Sequence, residues 1–520
     1  MTTPKPEKCL HHTFTLSVLL VVANFAFSYS GGTGEPNNPY QIANVADLLQ
    51  LASDDPNYDK SFILTADINL APNVFSTAVI APGPGYPYTS EFTGNFDGGG
   101  HKISNLSINV SDPTDNLGLF GVTSYLYDLS EIKNLTLENV GIHVHYVWMV
   151  VGGLVGHNAG AKIANCHSSV SIIGEYPDTI EGGNFGGLVG YNSYYGNISN
   201  CSSAGDIFLF FNPYIHGVIG AGGLMGGSEG GTISDSHSDC NVIYNGDLDI
   251  WGGVVRLGGL VGATSGSIIS NCYSTGIVSG NSPQEYYIFD IGGLLGEGYT
   301  YNFINRCFSS SPVIVRVDGY KYIGGLVGRN YDYSDINDCF STGPVTVSYI
   351  NNDYLCYTGG LVGDNHGQAN ILHCYSSGDV NSLAGCQYVG GLVGSQNESD
   401  INSSYFLNTS GPDNGLGEPL TDAQMKQQDS FTGWDFLGES INGTEDIWRM
   451  CFDNVNYPLL RWQFNRSDYI CPDGVNFFDF AVFANYWLTE NPFISLDEDD
   501  DIDIYDLKIF CNDWLEGASN

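Results

Sequence analysis

Basic side chains are scarce in this chain: Lys+Arg number 16 against 57 Asp+Glu, a net charge of −41. That balance excludes the electropositive surface that nucleic acid or an anionic membrane requires, and it suits cations or neutral partners such as glycans. Long apolar runs are almost as rare. The one that stands out, Phe14 to Phe27, follows Lys5 and Lys8 and ends in small residues at Ser28 and Ser30. It is short for a membrane span and has the layout of a secretory signal peptide over residues 1–30. The mature chain is therefore expected to be secreted or held at the cell surface, with no transmembrane anchor, in a compartment that permits disulfides. Catalytic signatures are scarce too: His-Glu-x-x-His is absent, and the one Gly-x-Ser-x-Gly, Gly226 to Gly230, lies inside a repeat copy rather than ahead of a helix. Gly-Gly-Leu-Val-Gly leads into a strand rather than a helix and is no phosphate loop. His143 and His145 share a strand face and could bind a metal, but a pair without a third ligand is more often incidental.

What the chain has in excess is one repeated stretch, clearest in Gly258-Gly259-Leu260-Val261-Gly262 followed by Ile269-Ser270-Asn271-Cys272. Gly-Gly-Leu recurs with its first glycine at 152, 186, 222, 258, 292, 324, 359 and 390, and Leu117-Gly118-Leu119-Phe120-Gly121 is a degenerate copy. A column of Ile runs from Ile103 and Ile132 to Ile371 and Ile401. Each is followed three residues later by a member of a second column, which begins Leu106 and Leu135 and ends Cys374 and Ser404. A period in the thirties held over ten units predicts a solenoid. The fold class expected is all-β, a parallel β-helix of about ten coils and three strands per coil, about 50 Å long at strand spacing. Ile and the residue three later have opposite strand parity, so a corner must separate them, where Asn105, Asn134, Asn165, Asn200 and Asn271 sit. Asn tolerates left-handed backbone and suits such a corner.

The ends read differently. Asn44 can cap a short helix, Val45 to Ala52, with Asp47 in the third position. Its Leu48, Leu49 and Leu51 would close the first coil within an N-terminal segment of 31–91. Residues 92–404 hold the repeats, and 405–464, rich in Trp and Phe with a helix start at Thr421, reads as a C-terminal cap. Length variation falls between the β-branched position (Ile172, Ile207, Val242, Val278, Val313, Val345, Val380) and the next Gly-Gly. Insertions of this kind project from one side of a solenoid, often the binding side. The aromatics there, Tyr214, Tyr244, Trp251, Tyr286, Tyr287, Tyr320, Tyr322 and Tyr354, form the candidate ligand-binding flank.

Cys166, Cys201, Cys272, Cys307, Cys339 and Cys374 alternate in their column with Leu and Ser, which marks a slot for small buried side chains rather than a metal array. Cys356 and Cys386 precede consecutive Gly-Gly pairs and could bridge neighbouring coils; Cys451, Cys471 and Cys511 leave several pairings open. In the tail, residues 465–520, two half-repeats appear. Ser495, Asp497, Asp499, Asp501, Asp503 and Asp506 have the spacing of a twelve-residue calcium loop. A weaker second loop would use Asp468, Asp473, Asn476 and Asp479, with Ile470 and Pro472 at ligand positions. Calcium is the one cofactor expected, at one site and doubtfully at a second.

The repeats, Phe92 to Ser404, resemble the GLUG family of bacterial secreted and surface proteins, which includes adhesin-like proteins and some IgA-cleaving metallopeptidases. The peptidases carry a separate zinc domain whose motif this chain lacks, so that activity is not implied. The tail resembles a dockerin type I module, with helices expected at Phe480 to Leu488 and Leu507 to Leu515. The resemblance implies a small α-helical, calcium-binding module and a cohesin-like partner. Together these features point to an exported, non-catalytic repeat protein for adhesion or for binding a glycan or cell-surface partner. The alternatives are a polysaccharide-degrading β-helix enzyme (a lyase or glycoside hydrolase) carrying a dockerin, and a structural spacer.

Overall fold

An Ile whose partner three residues on is also apolar forces the chain to turn between them, and it does so at every repeat. Asn134, Asn165, Asn200 and Asn271 have φ of 53°, 53°, 50° and 52°. Their amides stack from coil to coil, Asn165 donating to Asn134 Oδ1 at 3.0 Å and Asn200 to Asn165 at 2.7 Å. The computed structural model describes residues 29–83, 90–110, 116–124, 130–145, 148–176, 180–211, 215–246, 253–283, 287–349, 354–382, 385–437, 441–450, 456–470, 474–490, 494–496 and 501–517. The expected signal segment, apart from its last two residues, lies outside them.

The body is a parallel β-solenoid. Nine strands stack in each of two faces, giving eight full turns between first and last, and a 27-stranded sheet closes the remaining sides. One coil runs Val254–Gly258, Val261–Ser265, Ile268–Ser270, Tyr273–Ser274 and Val278–Ser282, so the three strands per coil expected above are too few. Gly-Gly is a corner between two faces rather than part of one strand. A side chain does not fit there: a Cβ on Gly259 would stand 2.1 Å from the Gly293 carbonyl oxygen. Leu257, Leu260, Val261, Ile269, Cys272 and Val278 all point into one continuous core with no exposure.

The count of ten coils is corrected at the first. Phe96, not Ile103, pairs with Ile132, whereas Ile103 pairs with Leu137 one column further along. Asn105 accordingly ladders with Asn69 and Asn139 rather than with Asn134. Leu106 likewise leaves the cysteine column, which begins at Leu135 above Cys166.

At the N-terminus, Asn44 caps the helix Val45–Leu51, accepting from Asp47 N, while Asp47 Oδ2 accepts from Ala43 N and Ser30 Oγ. Leu48 and Leu51 enter the solenoid core; Leu49, a third of a turn away, faces solvent. At the other end, Glu418–Leu420 pairs with Tyr405–Leu407, and Thr421 closes a capping box on Asp422–Met425. The chain then doubles back along the outside. Trp434, Trp448 and Trp462 donate in turn to Ser403 O, Asp338 Oδ1 and Arg306 O, descending the corner column. This strap covers a ladder of outward aromatics, Tyr273, Phe308, Phe340 and Tyr375, stacked at 4.9 Å with planes within 4°. No helix among the described residues is long and apolar enough to cross a membrane.

Candidate functional site

Two positions tied to the Gly-Gly corner face outward, one on each adjoining face. Two residues before the first glycine stand Val150, Asn184, Gly220, Arg256, Asp290, Tyr322, Tyr357 and Tyr388; five after it stand His157, Tyr191, Gly227, Ala263, Glu297, Arg329, Asp364 and Ser395. Strand pairing stacks each set into a row. The rows form the walls of a cleft. Where they carry Gly220, Gly227 and Ala263 it opens to about 450 Å³, with His157, Tyr191, Glu229, Arg256, Thr264 and Tyr299 among its lining residues.

Next to this opening the rows carry charge. Arg256 Nε contacts the Glu297 carboxylate and lies 3.9 Å from Asp290. Arg329 reaches Glu297 at 3.8 Å and Asp364 at 4.0 Å, and His366 Nδ1 meets Asp364 at 2.9 Å. Asp290 is fully buried, and neither of its carboxyl oxygens makes a hydrogen bond. Burial, then the neighbouring Glu297, holds its pKa well above the ordinary carboxylate range. Beyond the charges come aromatics in two ladders: Tyr322, Tyr357 and Tyr388 at 4.9 and 4.7 Å, and Tyr299, Tyr331 and His366 at 5.7 and 5.2 Å. The Arg329 guanidinium sits between the two, 4.6 Å from the Tyr322 ring and 4.5 Å from the Tyr331 ring. Such cation–π contact holds the guanidinium in one orientation.

The aromatic flank expected from the insertions divides. Tyr214, Trp251 and Tyr286 lie outside the described residues. Tyr244 and Tyr287 are corrected: both are buried in the core. Tyr244 follows inward Val242 by two, and equal parity sends both to the same side. Tyr320 and Tyr354 are outward neighbours in edge contact at 5.4 Å, and Tyr322 joins the cleft. Arg256, Asp290, Glu297, Arg329 and Asp364 escaped the sequence reading, although reading the two positions as columns would have shown charge and aromatics gathering in consecutive repeats.

The thiols of Cys166, Cys201, Cys272, Cys307, Cys339 and Cys374 are buried, each directed at the carbonyl two residues back and one in the preceding coil, as Cys272 is to Ser270 O at 3.1 Å and Ile233 O at 3.7 Å. Burial pushes the Cys166, Cys272 and Cys339 thiols well above their usual range, away from the reactive thiolate. Cys356 and Cys386 form a disulfide between successive coils. Cys451 and Cys471 lie outside the described residues.

In the tail the helices are Phe477–Asn485 and Ile504–Gly517, and each carries an Asp as its third residue. Asp479 accepts from Ile470 N and Asn476 N; Asp506 accepts from Leu496 N and Asp503 N. The two half-repeats thus share one turn geometry. Ser495 Oγ is buried and makes no hydrogen bond, while Asp506 is buried and Asp501 is exposed. In the weaker loop, Asp468 accepts from Gly474 N and Asn476 caps the first helix. Asp473, Asp497 and Asp499 lie outside the described residues.

Among known proteins, the chain is similar over 179 residues to halomucin of Haloquadratum walsbyi, at 33% identity. That stretch is 33% of this chain and 2% of halomucin. Among solved structures it is similar to a candidate immunoglobulin A1 protease from Bacteroides ovatus (TM-score 0.38, 15% identity, 84% of this chain and 95% of that one). It is also similar to an IgA1 protease (TM-score 0.36, 14% identity, 66% and 22%). The model of the GLUG motif matches residues 149–173, 181–207, 253–279, 319–348 and 354–381, which hold five of the eight Gly-Gly corners. The chain is a repeat β-solenoid built on GLUG motifs.

Proposed function

We propose that the protein is an exported, non-catalytic adhesin-like binder that takes a glycan chain in the cleft between its two Gly-Gly faces. The observation that carries this reading is Arg329, clamped between two aromatic ladders and braced by Glu297 and Asp364. Tyr faces offer apolar area with hydrogen-bonding edges, which suits sugar rings, and a guanidinium fixed among them suits hydroxyl-rich neutral glycans. The ladders run along the stacking axis, so the cleft matches an extended polymer better than a single sugar. The halomucin similarity is in keeping with an extracellular setting.

The rival reading, polysaccharide cleavage, draws on Asp290, a buried acid beside Glu297. Against it, the Asp290 and Glu297 side chains are 0% and 2% exposed, so neither touches a molecule lying in the cleft; they brace the arginines instead. One experiment separates the readings. The protein is incubated with a polysaccharide panel, scoring both pull-down and new reducing or unsaturated ends. Retention that is lost in Arg329→Ala and Tyr331→Ala, without new ends, supports binding. Cleavage abolished by Asp290→Asn or Glu297→Gln overturns it.

The tail is the docking half of this proposal. Ser495, Asp497, Asp499, Asp501, Asp503 and Asp506 would hold one calcium ion, a reading supported by the buried, unbonded Ser495 oxygen in a carboxylate-rich turn. The symmetry of the half-repeats leaves Phe477 and Phe478 exposed on one helix and Ile504 and Tyr505 at matching positions of the other. Such a paired apolar patch suits a cohesin-like partner. Calcium titration of the full chain, with Asp506→Asn as control, tests the site.

A further inference from the structure

His143 and His145 lie two residues apart at the end of the strand Glu131–Val144, so both rings leave the same outer face. Their centroids are 4.1 Å apart. The strand of the next coil, Lys162–Tyr176, runs parallel with Ile173 opposite His143 and Gly174 opposite Val144. That register sets Glu175 level with His145. The Glu175 carboxylate approaches His143 Nε2 at 3.3 Å, and one ligand atom from each of the three residues lies within 4.8 Å of the others. His143 Nε2 is screened from solvent yet makes no hydrogen bond. The third ligand that the sequence did not offer is thus supplied from one coil on.

We infer that His143, His145 and Glu175 form a binding site for a first-row transition dication, zinc foremost, with the fourth coordination position open to solvent. Two imidazoles and a carboxylate are the donor set such ions favour, whereas calcium takes six to eight oxygens. Around zinc the ligand atoms stand about 3.4 Å apart, so side-chain rotation alone brings these three into place. An ordinary ion pair would use one imidazole and leave the second without a role. The platform is stiff: the two strands, of 14 and 15 residues, are the longest among the described residues. Phe208 and Phe210 of the following coil, in register with Ile173 and Glu175, wall one side of the site. The surplus of acidic groups raises the local concentration of cations. A bound ion would clip two successive coils together, far along the chain from the Cys356–Cys386 disulfide.

The test uses the full chain without a polyhistidine tag, stripped with chelator and held in excess calcium so that oxygen-rich tail sites are occupied. Zinc is titrated by calorimetry and cobalt by absorption. The expected result is one zinc ion per chain and cobalt ligand-field bands without thiolate charge transfer. Affinity should fall about tenfold or more in both His145→Ala and the nearly isosteric Glu175→Gln, and stay unchanged in Cys511→Ser. Zinc binding that these two substitutions leave intact, or no zinc binding in the folded parent chain, overturns the inference; circular dichroism confirms that each variant is folded.

Discussion

Replacing Gly259 by Ala is the most direct test of the packed corner. The added carbon would stand 2.1 Å from Gly293 O and 2.9 Å from both Ser274 Cβ and Ser311 Oγ. A carbon–oxygen contact needs about 3.3 Å, so the two coils must part locally by about 1 Å. That displacement breaks or stretches the bonds from Gly259 N to Gly293 O, Leu260 N to Leu294 O and Val261 N to Leu294 O, now 2.9 to 3.0 Å. At about 1 kcal/mol each, with overpacking of about 1–3 kcal/mol, the expected loss is about 4–6 kcal/mol. Each repeat touches only its neighbours, so hydrogen exchange should quicken at the rungs of Leu224, Leu260 and Leu294 and spare Leu392. Gly141→Ala is the control, because a Cβ there meets no atom within 4 Å; it should be neutral or stabilise by up to about 1 kcal/mol. If Gly259→Ala unfolds in urea within about 1 kcal/mol of the parent, the corner has slack and the argument for tight coil stacking is wrong.

Acid should weaken the fold through His157, which burial holds down at about 4 and which shares a 2.8 Å hydrogen bond with Ser193 Oγ. The unfolded chain takes up this proton below about pH 6.5 and the folded one resists until about pH 4. Stability therefore falls through that window by up to about 3 kcal/mol, and His157→Gln should flatten that part of a pH-dependent unfolding series. Removing the disulfide with Cys356→Ser plus Cys386→Ser opens a 30-residue loop; a loss of about 3–4 kcal/mol, confined to the last coils by hydrogen exchange, is expected. Trp448→Ala empties a fully buried site against Phe340 and Tyr375. It should cost about 3–5 kcal/mol and expose residues 421–464 to protease while residues 130–272 stay protected. Cys307→Ser should cost no more than about 1–2 kcal/mol, because Ser236 already fills the same slot and bonds the carbonyl two residues back at 2.6 Å; a collapse of the whole array would refute the view that the column is mere packing.

The solenoid was legible because two periodicities are written in the residues: glycines that no side chain can replace, and apolar positions of opposite parity separated by an Asn. Ile103 misled because Ile-x-x-Leu also arises where the first coil enters a different column, and only register distinguishes the two. The insertion aromatics misled where parity was not applied, since Tyr244 two residues past Val242 must share its side. The cleft was hidden for another reason. Its rows occupy variable positions inside the most constant motif, and Arg256, Glu297 and Arg329 become neighbours only when turns stack. The same holds for Glu175, which sequence separates from His143 by a whole turn. The strap was unreadable in principle, because two of its three indoles recognise corners over a hundred residues away.

That strap makes the second half of the array a ruler of fixed length. Its indoles are anchored at Ser403, Asp338 and Arg306, and neighbouring rungs lie 4.9 Å apart. Duplicating or deleting one unit beneath it would misalign at least one anchor by a full rung. Upstream, between Asn134 and Asn271, no described segment spans consecutive units from outside as the strap does, so growth by internal duplication is tolerated there. Lineages of such proteins should accordingly differ in unit number near the front and keep the rear constant.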